Sequence, residues 1–170
     1  LIVGDELWFY YTAYAGDRDR VGGDDWRAGG MYSNAAVGLA KLRRDGFVSL
    51  RACIPGADLR TRPMTFTGDR LFVNANTVGS ELSVACLDED NEVIRAFSHD
   101  NCQAFVGNAT AAEIRWADTD LGELAGRPVK FHFRYERGDL YAFWLSPTPD
   151  GESGGYLAAG SPPAPNARDT

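Results

Sequence analysis
Residues 129–136 alternate without a break. Val129, Phe131, Phe133 and Tyr135 fall on one side, and Lys130, His132, Arg134 and Glu136 on the other. Only a strand, with its side-chain period of two, sorts these residues into an apolar and a polar face. Similar short runs rich in Val, Phe, Tyr and Trp recur along the chain, separated by Gly-Asp, Asp-Gly and Asp-Asn turns. Residues 7–14 (LWFYYTAY), 34–42, 47–51, 60–66, 71–77, 82–87, 92–97, 111–116 and 140–145 all read as strands. Such spacing predicts an all-β fold, an antiparallel β-sandwich of jelly-roll type. The unbroken aromatic run 7–14 predicts a strand covered on both faces. Residues 121–125 suit one helical turn at a crossover.

The composition is that of a globular chain: 170 residues, 44% apolar and 24% charged, with 19 Gly and 8 Pro to supply turns. The net charge of −7 and pI near 4.8 argue against binding a nucleic-acid backbone or an anionic membrane surface. No apolar run approaches the roughly 18 residues that a membrane-spanning helix needs. The first residue, Leu1, points to a processed or excised piece. Cys53, Cys86 and Cys102 form no CxxC pair. They read as reduced, buried thiols rather than a zinc site. Neither a metal nor another cofactor is expected. Asn108-Ala109-Thr110 is a formal glycosylation sequon.

Pro55-Gly56 marks a change of texture. Residues 1–54 form one strand group with a long loop, 16–34, and residues 55–146 form the sandwich. Residues 147–170, rich in Pro, Gly, Ser and Ala, read as a flexible tail.

Two groups of motifs carry a resemblance. The first is Gly4-Asp5-Glu6-Leu7-Trp8-Phe9-Tyr10-Tyr11-Thr12, Ala36-Val37-Gly38-Leu39-Ala40 and Arg44-Asp45-Gly46-Phe47-Val48-Ser49-Leu50. It resembles the last blade of the five-bladed β-propeller in glycoside hydrolases of the invertase/levanase and arabinanase group. The second is Thr65-Phe66-Thr67-Gly68-Asp69-Arg70-Leu71-Phe72-Val73-Asn74, Leu124-Ala125-Gly126-Arg127-Pro128-Val129 and Asp139-Leu140-Tyr141-Ala142-Phe143. It is similar to the β-sandwich that trails that propeller. Together they span roughly residues 4–146.

The resemblance implies carbohydrate as partner, along with an upstream propeller domain or another chain, and a secreted or periplasmic location. The hydrolytic carboxylates of the family lie in earlier blades, so no residue here inherits a catalytic role. It also implies that loop 16–34 lies at the substrate rim. There Trp26 and Tyr32 would stack on a sugar face, and Asp24, Asp25 and Arg27 would bond its hydroxyls. The plainer alternative is a solvent loop with Trp26 folded back on the sheet. Asp24 and Asp25, adjacent in one loop, do not span the roughly 5–9 Å that a glycosidase carboxylate pair needs.

Other candidates have plainer readings. Asp88-Glu89-Asp90-Asn91 has oxygen ligands suited to calcium but reads as a hairpin turn. His99-Asp100 and His132 could serve acid–base or metal chemistry, yet no nucleophile motif accompanies them. His132 is expected on a solvated face, or on a polar sugar-binding face, with Lys130, Arg134 and Glu136. Tyr135, Tyr141, Phe143 and Trp144 read as core, with the outer face of 140–145 docked on another domain. The expected function is therefore a non-catalytic accessory region that binds or positions carbohydrate. The alternatives are a structural C-terminal part of a fructan- or arabinan-type glycosidase and an autonomous carbohydrate-binding or adhesion module.

Overall fold
Long strands with apolar residues on both faces build the first part of the chain. The computed structural model describes residues 1–16, 32–54 and 58–152, and the chain divides into two units, Leu1–Arg44 and Asp45–Thr170. The first unit is a three-stranded antiparallel sheet of β1 (Ile2–Val3), β2 (Glu6–Tyr14) and β3 (Ala35–Arg43). Gly4, at φ 58°, supplies the left-handed residue that the two-residue turn from β1 to β2 requires. The Tyr11 ring lies over Gly38, its cross-strand partner, where a Cβ would collide with it. Glu6 Oε2 accepts from Trp8 Nε1 at 2.8 Å and from Lys41 Nζ at 3.1 Å, and the Lys41 ammonium sits 4.3 Å from the Trp8 ring centroid.

The expectation that residues 7–14 are covered on both faces is corrected. Phe9 and Tyr11 on one face, and Tyr10 and Tyr14 on the other, are exposed. The reason is architectural: the described residues of this unit form a single sheet, with no second layer to receive either face.

The second unit is an antiparallel β-sandwich. One sheet has the order β4 (Leu50–Ala52), β10 (Gly138–Ser146), β6 (Arg70–Asn76), β8 (Asn108–Ile114). The other has the order β5 (Asp58–Arg60), β9 (Lys130–Tyr135), β7 (Leu82–Leu87). From β4 to β7, and again from β8 to β10, each strand lies in the sheet opposite its predecessor. The segment between β7 and β8 touches β7 through the Leu82–Phe105 bridge. This is jelly-roll order, with one strand shortened to a bridge. The tightest crossing is the step from β9 to β10. Gly138 adopts φ 124° there, and a Cβ would collide with the Asn76 carbonyl oxygen.

The core lies between the sheets, where Val129, Phe131, Phe133 and Tyr135 point inward as their alternation requires. Phe133 is fully buried, its ring centroid 5.0 Å from that of Phe143. Trp116 closes one side, donating Nε1–H to the Val84 carbonyl at 2.9 Å and packing edge-on to Phe97.

Several elements differ from their sequence reading. The sequence texture groups residues 47–51 with the first strands, yet Leu50–Ala52 is an edge strand of the sandwich. Asp139 holds it, accepting from Ser49 Oγ at 2.8 Å and from Arg51 Nε at 2.9 Å. The expected strand 60–66 shortens to Asp58–Arg60 and an isolated Met64–Val129 bridge, because Pro63 has no N–H for a ladder. Expected strand 92–97 is one bridge at Val93 followed by a 3-10 turn, Arg95–Phe97, that drives Phe97 into the core. The helical turn expected at 121–125 is present as a 3-10 turn, Leu121–Leu124, capped by Asp120 accepting from Gly122 N. The outer face of β10 is met locally: Trp144 stacks on Phe72 and donates to the Gly151 carbonyl at 2.9 Å.

Truncating Phe133 to Ala should lower the unfolding free energy by about 3–5 kcal/mol, read from guanidinium denaturation. A loss below about 1 kcal/mol would mean that the ring does not anchor the core.

Candidate functional site
The outward residues of β9 create the site. In the ladder, His132 lies between Arg60 and Ala85, and Arg134 lies between Asp58 and Ser83. Asp58, Ser83, His132 and Arg134 thus share the outer face of the three-stranded sheet. The segment after β7 folds back over that face and brings His99 onto it. His132 is 6% exposed, which corrects the expectation of a solvated position. Its ring is enclosed because both nitrogens are engaged and the His99 ring packs edge-on at 4.9 Å.

The contacts form a series. Ser83 Oγ is 2.9 Å from His99 Nδ1, His99 Nε2 is 3.1 Å from His132 Nδ1, and His132 Nε2 is 2.7 Å from Asp58 Oδ2. The carboxylate fixes the direction. Ionised Asp58 only accepts, so His132 Nε2 carries a proton, and in the neutral ring His132 Nδ1 then accepts. His99 therefore carries its proton on Nε2, and its bare Nδ1 accepts from the Ser83 hydroxyl. Every proton in the series points from Ser83 towards Asp58.

The hydrogen bond from His132 holds the Asp58 carboxyl below its usual range, with smaller help from the charges of His132, Arg60 and Arg134. Burial, then the Arg134 and His132 charges, pushes His99 down to about 4, against smaller opposing effects of Asp100 and Asp58. His99 is thus a neutral base at neutral pH.

Ser83 and Arg134 also line an open cleft of about 530 Å³, together with Ser80, Glu81 and Glu136 and with Val106 at its edge. The Arg134 guanidinium makes no ion pair among the described residues. The cleft opens beside the serine end of the hydrogen-bonded series.

The residues expected to bind carbohydrate lie elsewhere. Asp24, Asp25, Trp26 and Arg27 fall outside the described residues. Tyr32 is exposed at the mouth of the β2–β3 hairpin, edge-on to Tyr14 with ring centroids 5.2 Å apart. The acidic segment 88–91 is a closed turn: Asp88 Oδ1 accepts from the backbone N–H groups of Asp90 and Glu92, each at 2.9 Å. Lys130 Nζ already supplies a cation there, donating to the Glu89 carbonyl and to Asn91 Oδ1. Cys86 is buried and Cys102 partly so, and burial raises both thiols, but Cys53 is exposed, contrary to the expectation of three buried thiols.

Asp58 and Ser83 are the site residues that sequence reasoning missed. Both occupy outward positions of strands, a weak signal for any single residue. No family model, curated protein or solved structure matches the chain.

Because folded His99 stays neutral down to about pH 4, the unfolded chain binds an extra proton between about pH 6.5 and 4. Stability from this residue is complete above about pH 6.5 and is lost as pH falls through that window. Denaturation midpoints at pH 7 and pH 4.5 should therefore differ less in His99→Gln than in the wild type. Equal differences would show that His99 does not carry this acid sensitivity.

Proposed function
We propose that the chain is the C-terminal region of an invertase/levanase-like glycoside hydrolase: a terminal propeller blade followed by a β-sandwich, acting to bind or position carbohydrate rather than to cleave glycosidic bonds. The observation that carries this reading is the aromatic display of the β2–β3 hairpin. Phe9, Tyr10, Tyr11 and Tyr14, with Val37 and Leu39, leave apolar surface on both faces of one sheet. A blade needs such surface, because it packs between two neighbours around the propeller axis. In a sheet standing alone, the same surface invites aggregation.

At the hairpin mouth, Tyr14 and Tyr32 give aromatic surface beside loop 16–34, the segment to which the family resemblance assigns the substrate rim. Trp26 and Tyr32 are the proposed stacking residues, and Asp24, Asp25 and Arg27 the proposed hydroxyl partners. The partners are therefore an oligo- or polysaccharide and the remaining blades, supplied upstream or by another chain. With a polysaccharide partner, the resemblance points to a secreted or periplasmic location.

A glycan array and affinity gels with the 170-residue chain test this reading. Trp26→Ala and Tyr32→Ala should each weaken binding about three- to tenfold. Binding kept in both variants but lost in Arg134→Ala would move the sugar to the sandwich cleft. No binding to any glycan would remove carbohydrate from the account. Hydrolysis of fructan, arabinan or an aryl glycoside that survives Asp24→Asn and Asp25→Asn would contradict the non-catalytic assignment.

A further inference from the structure
The series on the outer face does more than satisfy buried polar groups. A serine hydroxyl needs only one partner, and at the edge of an open cleft water would serve. Ser83 instead begins three consecutive hydrogen bonds that end on a carboxylate, drawn from four separate segments: β7, the loop after it, β9 and β5. Bonds of this polarity place a basic nitrogen on the serine hydroxyl and an anion behind the base, which is the arrangement that activates a nucleophile. The usual single histidine is here two in tandem.

The geometry points to Ser83 as the nucleophile of a carboxylic-ester hydrolysing site, with His99 as its base, His132 and Asp58 as positioning residues, and the cleft beside Arg134 as the place where the ester lies. This inference uses only the sandwich and does not depend on the saccharide reading.

The steps balance. Ser83 Oγ bonds to the acyl carbon while its proton passes to His99 Nδ1, and Arg134, the cross-strand partner of Ser83, supplies a guanidinium for the resulting oxyanion. Collapse breaks the ester C–O bond, and His99 returns the proton to the departing alcohol. Water then attacks the acyl-serine, giving a proton to His99. The acyl–Oγ bond breaks, the carboxylic acid leaves and the proton returns to Ser83. Asp58 stays ionised throughout and holds His132, and through it His99, in the required tautomer. One ester and one water yield one acid and one alcohol.

Groups acting on His99 come from each neighbouring element: Asp58 on β5, His132 and Arg134 on β9, Ser83 on β7, and Asp100 next to it in sequence. Their balance, with burial, keeps the base free well below the pH at which an ordinary histidine is lost. The reactivity of Ser83 should therefore persist to about pH 5 and decline near pH 4.

The test is labelling of the full chain with a fluorophosphonate, which phosphonylates an activated serine with loss of fluoride, followed by intact-mass and peptide analysis. We expect one adduct, on Ser83, that is absent in Ser83→Ala at an unchanged denaturation midpoint. The labelling rate should fall at least about a hundredfold in His99→Gln and about tenfold or more in Asp58→Asn. The rate in His132→Gln should fall and its pH profile should change, which a purely structural residue would not produce. Release of p-nitrophenol from p-nitrophenyl acetate should fall to the background rate in Ser83→Ala. A folded wild type that acquires no adduct on Ser83, or one labelled equally fast in His99→Gln, would overturn the assignment.

Discussion
β9 is the central strand of the three-stranded sheet, and its alternation decides both what the sandwich buries and what its outer face carries. Inward, Phe131 and Phe133 meet Phe66 and Phe143 and fill the space between the sheets. Outward, the same period of two places His132 and Arg134 two residues apart on one face, flanked by β5 and β7. A slip of one residue would exchange these sets, turning the His132 imidazole and the Arg134 guanidinium into the core and exposing its aromatic rings. The ladder therefore specifies the outer-face chemistry as firmly as it specifies the core.

The hydrogen-bonded series acquires its direction from one exposed carboxylate. Asp58 can only accept when ionised, and each neutral ring downstream then presents a proton at Nε2 and a lone pair at Nδ1. Orientation thus passes across the sheet from Asp58 to Ser83. The His99 position, partly buried and beside Arg134, disfavours the imidazolium. The bridge at Phe105 and the 3-10 turn Arg95–Phe97 anchor the segment that carries His99, so the ring is held by core contacts rather than by the series alone.

Much of the fold was legible because alternation is a local signal. The apolar stripe of β9, the capped turn 121–124 and the strands β2, β3, β6, β7 and β10 follow from neighbouring residues. Local patterns misled where a distant contact won. Residues 92–97 look like a strand, but Phe97 gains more by packing on Trp116 than by extending the sheet. Residues 50–52 adjoin the first unit in sequence, but Asp139 and Leu140 claim them. The site was less legible than the fold. His132 was singled out, yet its partners lie at positions 58 and 99, and Ser83 joins only through His99. No spacing rule links these residues until the register of three strands is known. The rim residues Asp24, Asp25, Trp26, Arg27 and Tyr32 rest on family resemblance, and of these Tyr32 alone lies among the described residues.

The chain contains two histidines, so the series can be read directly by nitrogen-15 NMR of the imidazole rings. At neutral pH, long-range proton–nitrogen spectra should show both rings protonated on Nε2, with both Nδ1 atoms bare. In Ser83→Ala, His99 should keep the same tautomer, its Nδ1 losing only the hydrogen bond. A His99 ring protonated on Nδ1, or one already cationic at pH 6, would mean that no proton series runs from Ser83 to Asp58 and would contradict the organisation described for this face.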